Sequence, residues 1–284
     1  MKLITKVLIS LIPIFVVFLY GIIGIKLSPT YAEASVAPKI KILIVAGHEP
    51  DYGGAIYKTL KERELNLQLA EKIVKNLEKN PRYDVVVSRD DKGWNPELQS
   101  YVTDNKETIL SWSADKKHVR NFLTAIGGAS VINSKMGHVT ANATSSLYLF
   151  GINKWANDTK VDMAINIHFN DNLKYKGKPN FEGFSIYIPE RQYSNFAPSK
   201  KFAWGLLDEM LKINRISSMK EESDGIIEDQ ELIALGVNNT ANEPSVIVEY
   251  AYIYEKFMQK KKTRDAYINK AASSTVLAIN KYFK

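Results

Sequence analysis

The sequence predicts an α/β fold, with a single, mostly parallel twisted sheet flanked by helices on both faces and a helical insertion. Short, almost wholly apolar runs rich in β-branched residues predict strands that are buried on both sides, as in parallel sheets. Between them lie segments whose apolar residues recur at intervals of three and four, which predicts helices packed on one side. Because strands and helices alternate along the chain, we expect helices on both faces of one sheet.

The predicted elements begin at residue 40. IKILIVA (40–46) is a strand, the spacing of apolar residues over 65–77 predicts a helix that ends before Pro81, and YDVVVS (83–88) is the next strand. The later elements are a helix at 146–157, strands at 161–167 and 183–188, a helix near 200–213, a strand at 245–250 and a terminal helix from about 264 to 282.

Residues 91–145 interrupt this alternation. They contain two polar helical patterns, at 97–113 and 115–126, followed by a connection rich in glycine, serine, asparagine and threonine. We interpret the segment as an insertion into the α/β domain.

The N-terminus is predicted to be a targeting segment. Lys2 and Lys6 precede an apolar run at 7–25, and the small-residue sequence AEA (32–34) is typical of a cleavage site. The run is longer than a usual signal core and approaches the length of a membrane span, so residues 1–37 are either a cleaved signal peptide or an N-terminal membrane anchor. In both cases we expect the rest of the chain to be exported and extracytoplasmic.

The composition limits the chemistry. The 284-residue chain has no cysteine and four histidines, which excludes a disulfide scaffold, a Cys-ligated zinc finger and a thiol nucleophile. Its formal net charge of +7 favours an anionic partner, which for an exported protein means lipid headgroups or cell-wall polymer. The sequence contains no nucleic-acid-binding motif, so we expect no nucleic-acid partner.

Three polar residues stand at the carboxyl ends of predicted buried strands. His48 follows ILIVAG, His168 follows DMAINI, and Glu249 ends SVIV. Because ligands of an open α/β sheet bind outside the carboxyl ends of its strands, we expect these side chains to approach one another. The start of the first helix adds two carboxylates, Glu62 and Glu64, close to the loop that carries His48.

Two imidazoles and one carboxylate around an open position are a known ligand set for catalytic zinc, and a second carboxylate can then move the proton. Such a site hydrolyses amides without a cysteine or an activated serine. The common HExxH metalloprotease motif is absent from the sequence. Each of these residues also has an alternative interpretation when it is taken alone. Each histidine could be a hydrogen-bonded structural residue, and Glu62 could be a solvated residue at the start of a helix. Glu249 could form an ion pair at the edge of the core.

Six blocks of the sequence occur in the order found in one known family. They are AGHEPDYGGA (46–55), LKERELNLQLAEKIVKNLE (60–78), VVVSRD (85–90), INIHFND (165–171), EGFSIYI (182–188) and PSVIVEYAYI (244–253). The chain thereby resembles the zinc-dependent N-acetylmuramoyl-L-alanine amidases of the amidase type 3 family, over residues 40–284 apart from the insertion. The resemblance implies an amidase catalytic domain at 38–284 with a phosphorylase/hydrolase-like sheet. The implied activity is hydrolysis of the amide between N-acetylmuramic acid and L-alanine in peptidoglycan.

The resemblance also implies roles for single residues. The implied ligands of one Zn²⁺ are His48, Glu62 and His168. Glu249 matches the catalytic carboxylate. Glu62 is preferred over Glu64 because the family's ligand stands four residues before an asparagine, which here is Asn66.

Departures from the family pattern leave the substrate preference open. EPD (49–51) follows His48 where the family is rich in glycine, and YAY (250–252) follows Glu249 where the family commonly has a small residue, glycine and phenylalanine. The helix at 152–157 only loosely matches the arginine-bearing helix of the family. Asn170, in the INIHFND block, is a candidate substrate-binding residue.

The insertion suggests a lid. Some related amidases carry an inserted helix that covers the zinc until a partner protein removes it. Residues 91–145 contain Glu107, Asp115, His118 and His138, which suggests a lid over the metal and an activator protein that displaces it. The alternative is a polar surface excursion.

Two other functions remain open at this stage. One is a different zinc amide hydrolase or peptidase on the same fold, and the other is a catalytically silent wall-binding module. Peptidoglycan is the expected partner, and we expect membrane contact only through residues 7–25 if they are not cleaved.

Overall fold

The computed structural model describes residues 38–134, 140–171, 181–240 and 243–284. The predicted signal peptide or anchor at 1–37 lies outside the described residues, and so does His138. Within the described ranges, no helix is long and apolar enough to cross a membrane.

A six-stranded sheet forms the centre of the domain. Its strands are β1 (Ile40–Ala46), β4 (Tyr83–Val87), β5 (Met163–Asn170), β6 (Ser185–Pro189), β7 (Ile226–Asp229) and β8 (Ser245–Tyr252). Their order is β4-β1-β5-β8-β6-β7, in which the first four strands are parallel, β6 is antiparallel to β8, and β7 is parallel to β6. The prediction of a mostly parallel sheet is therefore confirmed.

Three short strands are not predicted by the apolar pattern. They are β7 and the two strands of a separate hairpin, β2 (Ile56–Tyr57) and β3 (Leu60–Lys61). Strands of two to four residues are too short to show a period in the sequence.

Helices cover both faces of the sheet. One layer contains α1 (Glu62–Leu77), α5 (Phe196–Met210) and α7 (Lys261–Tyr282), and the other contains α2 (Pro96–Asp104), α3 (Lys106–Ala125) and α4 (Ala143–Asp158). The short helix α6 (Lys256–Gln259) precedes α7. Ile42 and Ile44 of β1 lie in the first core, whereas Leu43 and Val45 lie in the second. Successive strand residues point to opposite faces, which explains why β1 is apolar and buried at every position from Ile42 to Ala46.

The segment 91–145 supplies part of the second layer. Leu98, Val102 and Ile109 are buried there with α4 and β1. The packing is close, because a Cβ added at Gly151 would lie 2.5 Å from Cγ2 of Val102. The two helices of this segment meet at Asn105, whose side chain donates to the Tyr101 carbonyl and closes α2, rather than at the predicted break between 113 and 115. Helices α2 and α3 thus stabilise the domain.

Candidate metal centre

The loop after β1 brings His48 against β5. The Gly47 amide donates to the Ile167 carbonyl over 3.0 Å, which extends the pairing of β1 and β5 beyond β1 itself. Gly47 must lack a side chain, because a Cβ would lie 2.3 Å from Nε2 of His168. His48 adopts a φ of 66°, a left-handed conformation that is uncommon for non-glycine residues and turns the chain sharply. The result is that His48 and His168 have ring centroids 4.9 Å apart.

Glu62 enters the same space from the first position of α1. The β2–β3 hairpin returns the chain so that Ala55 and Glu62 bond reciprocally, with each backbone amide bonded at 2.8 Å to an oxygen of the other residue. The second carboxylate oxygen, Oε1, accepts from the Phe169 amide at 3.3 Å. Asn66, one turn further along α1, donates to the Gly47 carbonyl at 3.2 Å. These contacts hold Glu62 in place, and only 7% of its side chain is exposed.

The three predicted ligands converge. Oε1 of Glu62 lies 2.9 Å from Nε2 of His48 and 3.0 Å from Nδ1 of His168, and the candidate ligand atoms all lie within 4.8 Å of one another. The two histidine side chains are 26% and 22% exposed, so one side of the group is open. Glu64, the alternative, points away and pairs with Lys61 at 2.7 Å.

The donor set fits a zinc ion. Nε2 of His48 is buried and, within the described residues, has no partner in hydrogen-bond geometry, although Glu62 is close. A buried imidazole nitrogen without a hydrogen bond is costly in an apolar interior and is suited to a metal ion. Two imidazoles and one carboxylate with an open side are the ligands that catalytic zinc uses.

The charges within the group are strongly coupled. Burial opposes ionisation of Glu62, yet the two imidazoles outweigh it and hold the pKa of this carboxyl well below its usual range. Burial lowers the pKa of His168 despite its contact with Glu62. Burial also acts to lower the pKa of His48, but the Glu62 carboxylate outweighs it and raises that pKa. An anionic carboxylate between two imidazoles is the charge state that a divalent cation requires.

Glu249 lies beside this group on the next strand. In the register of β5 and β8 it pairs with His168. Burial, and then the nearby Glu62 and Glu222, raise the pKa of Glu249 well above its usual range. Its Oε2 is buried and has no hydrogen-bond partner in the described part of the chain. A carboxyl that readily binds a proton therefore lies next to the candidate ligands, as general acid–base catalysis requires.

Comparison with known proteins identifies the family. The sequence model of the family described as N-acetylmuramoyl-L-alanine amidase matches residues 42–281. The chain belongs to this family. It is accordingly an N-acetylmuramoyl-L-alanine amidase, which hydrolyses the amide between N-acetylmuramic acid and L-alanine in peptidoglycan. Of the functions left open by the sequence, the amidase prediction is confirmed.

One relative is similar in sequence and two solved structures are similar in fold. A Buchnera aphidicola subsp. Acyrthosiphon pisum (strain APS) protein named for the same activity is 26% identical over 249 residues, which are 86% of this chain and 95% of that protein. The N-acetylmuramoyl-L-alanine amidase of Clostridium difficile 630 has a similar fold, with a TM-score of 0.54, 19% identity and coverage of 87% of this chain and 98% of that one. The CwlD amidase of Clostridioides difficile, solved in complex with the GerS lipoprotein, has a TM-score of 0.55, 17% identity and coverage of 86% and 98%.

Arg89 is a site residue of this amidase that sequence reasoning missed. It is 2% exposed, and its guanidinium donates to the carbonyls of Ala46, Gly47, His48 and Arg63 at 2.8–3.0 Å. Burial lowers its pKa to about 10, so it stays charged at neutral pH. These hydrogen bonds connect the loop that carries His48 to the start of α1. A signal was available, because Arg89 follows β4 just as His48 follows β1.

Glu222 is the second residue missed by sequence reasoning. It ends a short 3₁₀ turn (Lys220–Glu222), is fully buried, and accepts a hydrogen bond from Nδ2 of Asn170 at 2.8 Å. Asn170, the candidate substrate-binding residue, is the last residue of β5 and lies two positions beyond His168. The sequence carries no comparable signal for Glu222, because it stands in a polar stretch with another glutamate.

The described residues of the predicted lid do not belong to the metal centre. Glu107 and His118 are exposed on α3, and neither belongs to the group around Glu62. The chain after α3 binds the opposite end of the sheet, where Ser134 donates to Asp229. Asp229 ends β7 and pairs with Pro189 at the end of β6. Glu249 pairs with Ser185 at the beginning of β6, and the two ends of β6 are roughly 13 Å apart along the strand. His138 lies outside the described residues, so the lid remains a prediction without support from these contacts.

Proposed function

We propose that this amidase is a zinc enzyme in which one Zn²⁺ is held by His48, Glu62 and His168, and Glu249 moves the proton. The observation that carries the proposal is the convergence of three candidate ligand atoms within 4.8 Å of one another. Nε2 of His48 is buried there without a partner in hydrogen-bond geometry among the described residues. When bound, zinc would supply Lewis-acid polarisation of the scissile carbonyl.

The protein's own groups supply the rest of the chemistry. Glu249 takes a proton from the attacking water, whose oxygen forms a bond to the lactyl carbonyl carbon. The carbon–nitrogen bond then breaks, and Glu249 passes the proton to the departing amine of L-alanine. Burial and the neighbouring carboxylates raise the pKa of Glu249 well above its usual range, which favours proton uptake by this group.

The test combines turnover with metal content. The full-length chain is incubated with zinc and insoluble peptidoglycan, and the released fragments are identified by mass spectrometry. Stem peptides that begin at L-alanine are expected from the wild type. Glu249→Gln should retain zinc but lose at least about 100-fold in turnover, because ligation and proton transfer fall on different residues. Loss of zinc in Glu249→Gln would show that its role is assigned wrongly.

The helix start provides a matched pair of variants for the ligand assignment. Glu62→Gln should lose zinc, because Gln cannot supply the anionic oxygen between the two histidines. Glu64→Gln should bind zinc like the wild type, since the exposed carboxylate of Glu64 pairs with Lys61. Equal zinc affinity in the two variants would contradict the assignment of Glu62.

We also propose that the amidase acts outside the cytoplasm, at the cell wall. The support is the location of its polymeric substrate and the predicted targeting segment at 1–37. Cell fractionation and N-terminal sequencing of the mature protein would test the export and distinguish cleavage from anchoring. The activator protein stays a prediction. Its indirect support is that the CwlD amidase, which has a similar fold, was solved in complex with the GerS lipoprotein.

A further inference from the structure

Glu222 is the fully buried acceptor of three converging hydrogen bonds. Oε1 accepts from the Tyr187 hydroxyl at 2.6 Å and from Nδ2 of Asn170 at 2.8 Å, and Oε2 accepts from the Tyr252 hydroxyl at 2.8 Å. A carboxylate without an exposed atom is stable in a protein only when its oxygens are bonded in this way. The arrangement is therefore a built polar network, joined by Ser217, which contacts the Tyr252 hydroxyl.

The network joins the strands that carry the catalytic groups. Tyr187 lies on β6, Asn170 ends β5, and Tyr252 ends β8 and pairs with Asn170. Burial and then Glu222 raise the pKa of both tyrosines, so the hydroxyls keep their protons and remain donors. The carboxylate is thus surrounded by groups that only donate to it.

This surrounding determines which way the amide of Asn170 points. Nδ2 of Asn170 donates to Oε1 of Glu222, so the NH₂ end of the amide faces Glu222. The carbonyl oxygen, Oδ1, is then the end of the amide that faces away from Glu222. Asn170 is half-buried and lies two positions beyond His168 on β5. It pairs with Tyr252, three positions beyond Glu249 on β8, across an irregularity in the register that follows His168.

We propose that Glu222 is a positioning residue that turns Oδ1 of Asn170 toward the substrate, where it accepts a hydrogen bond from a backbone N–H of the stem peptide. The proposal deepens the proposed amidase mechanism and rests on it for the identity of the substrate. It assigns this part of the site to recognition of an N–H donor, and Glu222 acts only through Asn170.

The first test measures binding separately from cleavage. The full-length, zinc-loaded chain carrying Glu249→Gln is titrated with a soluble N-acetylmuramoyl peptide by calorimetry, with and without Glu222→Gln. Adding Glu222→Gln should raise the dissociation constant about tenfold. A glutamine can turn its own NH₂ toward Asn170, so the side-chain amide of Asn170 would no longer be held in one orientation. In an Asn170→Ala background, Glu222→Gln should have no further effect.

A matched control removes another buried carboxylate. Glu209 is 3% exposed and bonds Lys212 and Lys281, away from the metal centre. Glu209→Gln should leave the dissociation constant for the peptide unchanged. In turnover by otherwise wild-type protein, Glu222→Gln should raise KM about tenfold with kcat within about twofold, whereas a loss of folded protein would lower kcat and leave KM unchanged.

A second measurement needs no variant of Glu222. The side-chain amide resonances of Asn170, assigned by their loss in Asn170→Ala, should keep their chemical shifts when the peptide binds, while the Cγ resonance moves. Movement of the NH₂ resonances with a fixed Cγ would overturn the proposal, because the NH₂ end would then face the substrate.

The outcomes separate this proposal from the proposed function. Three results would overturn the positioning role. The dissociation constant could be unchanged by Glu222→Gln, or Glu222→Gln could weaken peptide binding equally in the Asn170→Ala background. The third result is that no peptide binds when Glu222 is intact. Glu222-dependent binding without release of stem peptides by the wild type would support the positioning role and contradict the proposed function.

Discussion

Gly47 and the ring of His168 are in direct contact across β1 and β5, so closely that a Cβ on residue 47 would lie 2.3 Å from Nε2 of His168. A methyl group in this position must displace the ring or the backbone of the loop. The geometry of the candidate metal centre therefore depends on a residue that supplies no ligand.

Gly47→Ala is expected to weaken zinc binding by about 10- to 100-fold, the range seen when a metal ligand loses its support. Zinc affinity is measured by competition with a chelator. Gly205→Ala is the control, because Gly205 lies within α5 and an added Cβ there has no atom within 4 Å. That change should leave zinc binding unaltered and stabilise the fold by roughly 0.5–1 kcal/mol. Wild-type zinc affinity in Gly47→Ala would contradict the role assigned to this contact.

Arg89→Met is expected to lower both stability and zinc affinity. The four carbonyls that Arg89 binds would lose a charged donor, and buried acceptors left unpaired cost about 1–3 kcal/mol each. We expect the free energy of unfolding in urea to fall by at least about 2 kcal/mol. Arg191→Met, at a guanidinium that is 69% exposed and paired with Glu228, should leave the free energy of unfolding nearly unchanged. Equal effects of the two changes would refute a clamping role for Arg89.

Ile109→Ala tests whether α3 is part of the core. Ile109 is 0% exposed in the layer formed with α4, so its truncation should reduce the free energy of unfolding by about 2–5 kcal/mol. The next residue provides the control, since Leu110 is 45% exposed and Leu110→Ala should cost less than about 0.5 kcal/mol. If the two variants were equally stable, residues 91–145 would be a surface excursion after all.

Glu209 should make stability depend on pH in the acid range. Hydrogen bonds from Lys212 and then Lys281 lower the pKa of this carboxyl in the folded protein. Its contribution is therefore fully present above the pKa of an unfolded glutamate, about 4.3, and is lost as the pH falls through the lower folded value. The difference in unfolding free energy between wild type and Glu209→Gln should be about 0.5–1 kcal/mol at pH 7 and should shrink below pH 4. A difference that grows on acidification would be evidence against the ion pairs with the two lysines.

The fold class and the four main candidate site residues could be predicted from the sequence. Buried parallel strands are apolar on both faces, so β1, β5 and β8 are visible as runs, and a polar residue at the end of such a run is conspicuous. His48, His168 and Glu249 were found by that rule, and the family resemblance distinguished Glu62 from Glu64. The structure agrees, since Glu62 faces the histidines and Glu64 pairs with Lys61.

Arg89 stands after a strand as His48 does, but the roles of the supporting residues could not be predicted in this way. Those roles depend on partners far along the chain. Arg89 binds carbonyls 26 to 43 residues away, and Glu222 meets Asn170 from 52 positions further on. Helices α2 and α3 appeared to be polar because only a few residues in each are buried. Their place in the second layer becomes visible only when α4 and β1 are packed against them.

The sequence by itself determined the alternation of strands and helices, the absence of thiol chemistry, and the polar residues at the strand ends, because periodicity and residue chemistry are local properties. Only the tertiary structure decided which atoms meet: Oε1 of Glu62 between two histidines, Glu249 in register with His168, and the NH₂ of Asn170 against Glu222. Strand register and side-chain contact are set by long-range packing and hydrogen bonding, and a one-residue change of register would turn Glu249 to the other face of the sheet.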